Sequence, residues 1–599
     1  MCGFIGVISN NPIDKTSIHK SNNFLSCRGP DDFKSVEKRL NNKNINFSFH
    51  RLSIVDLSKD ASQPMKSNAF NSEIMFNGEI YNHAYLRAEI EKQGITFNTS
   101  HSDTETLLVG LSMYGDKFLD KIEGQFSIAY LNNDKNTITL IRDRLGQKPL
   151  YYSLSRNELI FSSNFKSVLL YKKNFNLDKK QISTFLELGC VPSPNTLDKE
   201  IFKLQPGELI EISLYDLQII KQEKYWNIKD FIDDKKFSEE QFLKLFNEAI
   251  KKRLISDVPI ANLLSGGIDS TSIIKSLHEQ GVDNINTYTI KNKDEEYDES
   301  FWSNKVVEKY KTNHKYKEID GENLSTSLNP IEVIESFDEP YSDPSIFPSY
   351  MIYNQISKDY KVAISGDGGD ELLGGYEKIH FSLKKSLFPL FLVKLFYKLI
   401  PPKYGTGGSL HLISPSPEFS FETLTTDKKL LKLFSLKSEV SFKKRFMDKN
   451  IKGIKKFLIS DYNFYFAELM LLKVDRMSMA NSLEVRSPFL DHKLVEYIIS
   501  TNLSFFDVNN PKVLLKKYLK SDFDPGFLNR KKMGFVFDLK NWIYNNKDTL
   551  SQLILESGLF DMKIVEILFN NRKKTNAIRI LKLLTISLLV KNYNQISTK

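Results

Sequence analysis

Asn262-Leu263-Leu264-Ser265-Gly266-Gly267-Ile268-Asp269-Ser270 stands where an apolar run, residues 259–264, gives way to a helical pattern over residues 271–279. Strand, glycine turn and helix in that order decide the architecture of the larger part of the chain. Two adjacent glycines let the backbone approach an anion closely, and the start of a helix offers unpaired N–H groups with a favourable dipole. The loop therefore predicts a site for a phosphate-bearing ligand. The GxxxxGK[ST] spacing and its lysine are absent, which excludes that kind of phosphate loop. An ordinary glycine turn is the alternative reading, and the strand-to-helix context argues against it. Outward from this loop, residues 239–254 read as a helix and residues 286–290 and 361–365 as further strands. Alternating helix and strand imply a parallel sheet with crossover helices, whose ligands sit at the carboxyl ends of the strands.

The strand at 361–365 runs into Ile364-Ser365-Gly366-Asp367-Gly368-Gly369-Asp370-Glu371 and then Leu372-Leu373-Gly374-Gly375-Tyr376. A solvated acidic loop would explain the carboxylates but not five glycines within residues 366–375. Interleaved in this way, they suit the rim of a hydrated magnesium ion, which takes one or two carboxylates plus phosphate oxygens. Asp269 and Asp370, each in a loop after a strand, are the predicted metal ligands. Beyond residue 378 the chain reads as mostly helical. Its most apolar stretch, residues 387–399, is broken by Pro389 and Lys394 and reads as a buried helix too short to span a bilayer.

The other end of the chain opens Met1-Cys2-Gly3-Phe4-Ile5-Gly6. A small second residue invites removal of the initiator methionine, which would put a thiol and a free α-amine on one residue. The amine titrates below the thiol and can take its proton, so nucleophile and base would share the terminus. Alone, Cys2 is more simply a small residue beginning a strand; the remaining motifs reverse that order. Residues 3–9, 46–55, 73–76, 126–131 and 137–142 read as strands, with helical patterns at 84–93 and 103–114, which suggests an α+β layered unit. Turn chemistry from Val191-Pro192-Ser193-Pro194 through Gln205-Pro206-Gly207 reads as the connection to the second unit.

A chain of 599 residues, 41% hydrophobic and 26% charged, is too long for one core and has the composition of a soluble globular protein. Its net charge of +9 comes from scattered lysines, and no nucleic-acid motif accompanies them. Three distant cysteines, Cys2, Cys27 and Cys190, form no disulfide framework, and no signal peptide precedes them, so a cytoplasmic location is expected. The nine histidines show no zinc-ligand spacing.

Taken together these motifs resemble the glutamine-dependent asparagine synthetase family. The first half carries Met1-Cys2-Gly3, Arg28-Gly29-Pro30-Asp31, Arg51-Leu52-Ser53-Ile54-Val55-Asp56, Asn77-Gly78-Glu79-Ile80-Tyr81-Asn82, Ser102-Asp103-Thr104-Glu105 and Arg142-Asp143-Arg144. The second half carries Ser256-Asp257-Val258-Pro259, the Ser265 loop, Tyr297-Asp298-Glu299-Ser300, the Asp367 loop and Glu484-Val485-Arg486-Ser487-Pro488-Phe489-Leu490-Asp491. The resemblance implies an α+β N-terminal-nucleophile αββα sandwich followed by an α/β adenine-nucleotide α-hydrolase-like (ATP-pyrophosphatase) domain with a helical C-terminal part. It implies a glutaminase domain at residues 2–205, a connecting segment at 206–237 and an ATP-dependent synthetase domain at 238–599.

Carried over residue by residue, Cys2 would attack the glutamine amide while the Asn77 side chain and the Gly78 N–H stabilise the oxyanion. Arg51 would grip the substrate carboxylate and Glu79 and Asp103 its ammonium, with Ile54 and Val55 beside them. Leu264, Ser265, Gly266, Gly267, Asp269, Ser270, Ile290, Ser365 and Gly366 would bind ATP, with magnesium on Asp269 and Asp370. Asp367 and Lys532, the latter in Arg530-Lys531-Lys532-Met533-Gly534-Phe535, match catalytic positions. Cys27, Asn164 and Asp367 depart from the family's commoner residues, the first two at positions expected near the domain interface. The implied reaction is ATP-dependent amidation of aspartate with ammonia from glutamine. The alternatives are amidation of a sugar uronate and a non-catalytic regulatory homologue; Asp338-Glu339-Pro340-Tyr341-Ser342-Asp343-Pro344-Ser345 does not decide the acceptor. Small-molecule substrates are expected, with no nucleic acid or membrane partner; the oligomeric state is left open, a homodimer being one expectation.

Overall fold

The computed structural model describes residues 2–292, 298–319, 328–383, 391–392, 416–530 and 537–598. The strand Gly3–Ser9 is buried throughout and sets up the first unit by simple alternation. Phe4 and Ile8 point between two sheets, joined there by Phe47 and Phe49 from one and Met75, Leu131, Leu140 and Ile210 from the other. Ile5 and Val7 point outward, onto Ile18 and Leu25 of the helix Lys15–Leu25 and Val168 and Leu169 of the helix Phe165–Lys172. On the far side, Ile74, Phe76 and Ile80 pack on Leu86, Leu107 and Leu108 from the helices His83–Glu91 and Asp103–Tyr114. Helix, sheet, sheet and helix are thus stacked in the expected αββα order. Each sheet has six strands.

Three sequence readings shift. Asp32–Leu40, too charged to read as a strand, pairs along Lys43–Arg51 as the sheet's edge, where exposed charge is compatible with strand and discourages further pairing. The strand read to residue 55 stops at Arg51; the chain then leaves the sheet and turns at Asp56, φ +53°. The segment 206–237, read as a connection, contributes Glu208–Ser213 and Ile219–Lys224 to the second sheet, the former on Thr137–Arg142. Pro206-Gly207 therefore turns the chain into a strand instead of out of the unit.

The second unit holds five parallel strands in the order Asn313–Ile319, Asn286–Asn292, Ile260–Leu263, Val362–Ile364, Glu484–Arg486. Ile260–Leu263 and Val362–Ile364 are direct neighbours, so the glycine loop after each emerges beside the other at the sheet's carboxyl edge. Helices cover the sheet and fill the C-terminal part, ending in Lys574–Thr598. Among the described residues no helix is long and apolar enough to cross a membrane. Of the stretch 387–399, read as a buried helix, all but Phe391 and Leu392 lies outside the described residues.

The two units meet across a buried ionic ladder. Arg28 grips Asp475 with two bonds of 2.9 and 3.0 Å, Asp475 accepts from Arg476 at 2.7 Å, and Arg476 reaches Asp338 at 2.5 Å and the Tyr151 hydroxyl at 2.8 Å. Tyr151 donates to Glu339, which Lys203 approaches at 2.7 Å, with Glu468 3.6 Å away. Burial alone would push the Asp475 carboxyl up, but the Arg28 guanidinium and then Arg476 hold it well below the usual carboxylate range. The positions expected near this interface lie at it: Cys27 O accepts from Ser482, and Asn164 caps the helix whose Phe165 N–H donates to Asp338.

Candidate active sites

Cys2, at the head of the innermost strand, lines a narrow buried cavity with Arg51, Ile54, Val55, Gly78, Glu79 and Asp103. The sequence-predicted glutamine residues are therefore brought together. Cys2 N donates to Asn77 Oδ1 at 2.9 Å, while Asn77 Nδ2 makes one long bond of 3.4 Å to Ser127 Oγ. Gly78 is demanded by close approach: a Cβ there would lie 2.0 Å from Gln125 O. Burial pushes the Cys2 thiol up, against the Leu52 N–H and the Arg51 guanidinium. Such a thiol needs a base at hand to become a nucleophile.

Arg51 folds the following loop over the cavity by donating to Ser58 O at 2.8 Å and to Asp56 O. Opposite it, burial and then the Asp103 charge raise Glu79 well above the carboxylate range, against the pull of Arg486. Burial raises Asp103 too, against His83 and the Ile80 N–H. Glu79 Oε1 is buried without a hydrogen-bond partner. Two carboxylates strained toward neutrality, one with an oxygen unmatched, form a receptor for a cation such as an ammonium.

The second site is a cavity of about 440 Å³ between the two glycine loops, lined by Leu264, Ser265, Gly267, Asp269, Ser270, Ile290, Ser365, Gly366, Asp367 and Asp370. Gly267 caps the helix Ile268–Glu279 with no side-chain bond, so its first N–H groups face the cavity with the hydroxyls of Ser265 and Ser270, 3.3 Å apart. Gly266 does not line the cavity. It turns at φ +65°, and a Cβ would strike Trp302 and Ser303 at 2.6 Å. Asp367 accepts from Ser365 Oγ at 2.8 Å. Burial, then Asp370, push the Glu371 carboxyl up to about 7, with the Tyr376 hydroxyl opposing from 2.6 Å.

Asp269 and Asp370 converge on one cation, the ammonium of Lys512, which pairs with Asp269 and lies 2.5 Å from Asp370. Although burial opposes its charge, the two carboxylates hold Lys512 protonated. The donor set fits magnesium: two carboxylates meet at a point beside the helix N-terminus that Gly267 caps. Among the described residues no group of three histidine, cysteine or carboxylate side chains gathers as a metal cage.

Sequence reasoning missed Lys512, and also Arg530, which lies over Trp302 and aims Nη2 at Ser265 O from 3.5 Å. Lys512 gives no signal because its partners lie far away in sequence; Arg530 stands inside the motif from which only Lys532 is singled out. Lys532 and Tyr297 lie outside the described residues. The acceptor segment divides: Asp338 and Glu339 belong to the interface ladder, whereas Asp343 and Ser345 line the second cavity.

One residue touches both sites. Arg486 Nη2 pairs with Glu79 at 2.9 Å in the first cavity, Nε pairs with Glu484 at 2.6 Å, and its carbonyl accepts from Ser365 N at 2.9 Å in the second. Arg486→Met should destabilise the protein by about 3–5 kcal/mol, since it strands buried carboxylates. A urea titration that kept the wild-type midpoint would contradict this.

Residues 1–226 match the glutamine amidotransferase domain family and residues 241–590 the asparagine synthase family. The asparagine synthetase (glutamine-hydrolyzing) 1 of Bacillus subtilis is 30% identical across 94% of this chain and 91% of its own length. Asparagine synthetase (glutamine-hydrolyzing) 3 of the same organism is 29% identical across 89% of this chain and 87% of its own. With a cysteine-headed cavity, a paired glycine-loop cavity and relatives that match nearly end to end, the chain belongs to the asparagine synthase family.

Proposed function

We propose that the chain transfers the amide nitrogen of glutamine to aspartate at the expense of ATP, forming asparagine. Cys2 Sγ attacks the amide carbon of glutamine, its proton passing to the α-amine exposed by removal of Met1. Gly78 N–H and Asn77 Nδ2 stabilise the oxyanion; ammonia leaves, and water hydrolyses the thioester to glutamate. Arg51 holds the substrate carboxylate, and Glu79 and Asp103 its ammonium, between the apolar walls of Ile54 and Val55.

In the second cavity the aspartate side-chain carboxylate attacks the α-phosphorus of ATP and pyrophosphate leaves. Ammonia then attacks the acyl carbon and AMP departs with the acyl oxygen. Leu264, Ile290, Ser365 and Gly366 wall the nucleotide, Ser265, Gly267 and Ser270 hold its phosphates, and Gly266 shapes the loop. Asp269 and Asp370 are the residues that would hold magnesium, which neutralises phosphate charge when bound. Lys512, which now lies between the two carboxylates, would supply positive charge beside the phosphates. Asp367 and Lys532 complete the proposed catalytic set.

The convergence of Asp269 and Asp370 between two glycine loops, in a chain headed by Cys2, carries this reading. Purified enzyme given glutamine, magnesium-ATP and aspartate should produce asparagine, AMP and pyrophosphate in equal amounts, with at least as much glutamate. Silence with aspartate beside turnover of a uronate would move the acceptor; silence with every carboxylate would leave a non-catalytic homologue.

A further inference from the structure

Lys473 is 8% exposed and lines the second cavity, yet its ammonium contacts only neutral atoms, Ser345 Oγ at 3.2 Å and Met470 Sδ at 3.7 Å. Among the described residues it has no carboxylate partner. Asp343 lines the same cavity, and its Oδ1 accepts from Ser345 N at 2.8 Å. Among the described residues it has no cationic partner. Ser345 thus touches both groups, Lys473 through its hydroxyl and Asp343 through its N–H, and the two side chains form no ion pair with each other. The acids of the glycine loops are engaged elsewhere, Asp269 and Asp370 by Lys512, Asp367 by Ser365 and Glu371 by Tyr376. Lys473 comes from the helix Leu471–Met479, while the phosphate loop opens from the sheet.

A buried lysine without a counter-ion is costly, and a matched anion from the substrate removes that cost. We propose that Lys473, Asp343 and Ser345 form the acceptor subsite and select an α-amino acid, Lys473 taking its α-carboxylate and Asp343 its α-ammonium. This rests on the amidation reading above. The pair leaves the acceptor's second carboxylate to face the nucleotide. A uronate, whose one carboxylate must react, would leave both charges unmatched.

The test uses the full-length enzyme with ammonium chloride as nitrogen source and reads pyrophosphate release. Three acceptors are compared: aspartate, succinate, which lacks the ammonium, and β-alanine, which lacks the α-carboxylate. Lys473→Met should raise the KM for aspartate about a hundredfold and abolish its advantage over β-alanine. Asp343→Asn should abolish the advantage over succinate. Both variants should keep the wild-type KM for ATP and wild-type glutamine hydrolysis, the latter confirming that the chain is folded, and Lys473→Arg should recover part of the loss. Wild-type turnover of aspartate with an unchanged KM in Lys473→Met overturns the subsite alone. Wild-type silence with aspartate overturns the acceptor reading and the subsite with it.

Discussion

Cys2→Ala will lose glutamine hydrolysis by about a millionfold, to the rate without a nucleophile, and will keep pyrophosphate release and amidation when ammonium salts replace glutamine. The two halves of the result come from separate places. Cys2 Sγ heads a cavity formed by the first unit, and no other described cysteine lines it. The second cavity is lined wholly by residues 263–537 and loses nothing when a sulfur is removed from the first. Alanine also preserves the Cys2 N–H bond to Asn77 and the buried strand behind it. Mass spectrometry of the active wild type should show Met1 missing, because the proposed base is the amine of Cys2. An active protein that retained Met1 would sink the mechanism, and a Cys2→Ala protein inert with ammonium would show that the sites do not act separately.

Asp269→Asn and Asp370→Asn will each cut pyrophosphate release about a hundredfold or more with either nitrogen source, while glutamine hydrolysis continues. Asparagine keeps the shape of the side chain and removes its charge, so the effect isolates electrostatics. In the wild type two carboxylates face one cation position; with one gone, the attraction for a divalent ion falls by about half. Lys512 keeps one carboxylate partner in either variant, which protects the fold from a stranded buried ammonium. Isothermal titration with magnesium and a non-hydrolysable ATP analogue reads the same defect without turnover. Normal pyrophosphate release at limiting magnesium in both variants would remove the metal assignment.

What the sequence made legible was local. The Ser265 loop, the alternation of strand and helix around it and the cysteine at the terminus each carry their meaning within a few residues. Distant partnership is invisible to periodicity. Lys512 stands 243 residues from Asp269, and nothing near it announces two carboxylates. Glu484–Arg486 is three residues long, too short for a strand pattern, yet it forms the edge of the parallel sheet and reaches Glu79, 407 residues away. Lys473 carries no signal in its own neighbourhood, because an unmatched charge is defined by what fails to surround it. Asp32–Leu40 escaped for the opposite reason: an edge strand wears the composition of a loop.

The ladder from Arg28 to Glu468 bears on how such a protein can be rebuilt from parts. Arg28, Tyr151 and Lys203 come from one unit, and Arg476 with the four carboxylates Asp338, Glu339, Glu468 and Asp475 from the other. A chimera that took its first 226 residues from a relative without those three donors would bury carboxylates with too little opposing charge. The halves have separable chemistries but a shared seam, so they are not interchangeable modules. Grafting should succeed only when the seam travels with the graft.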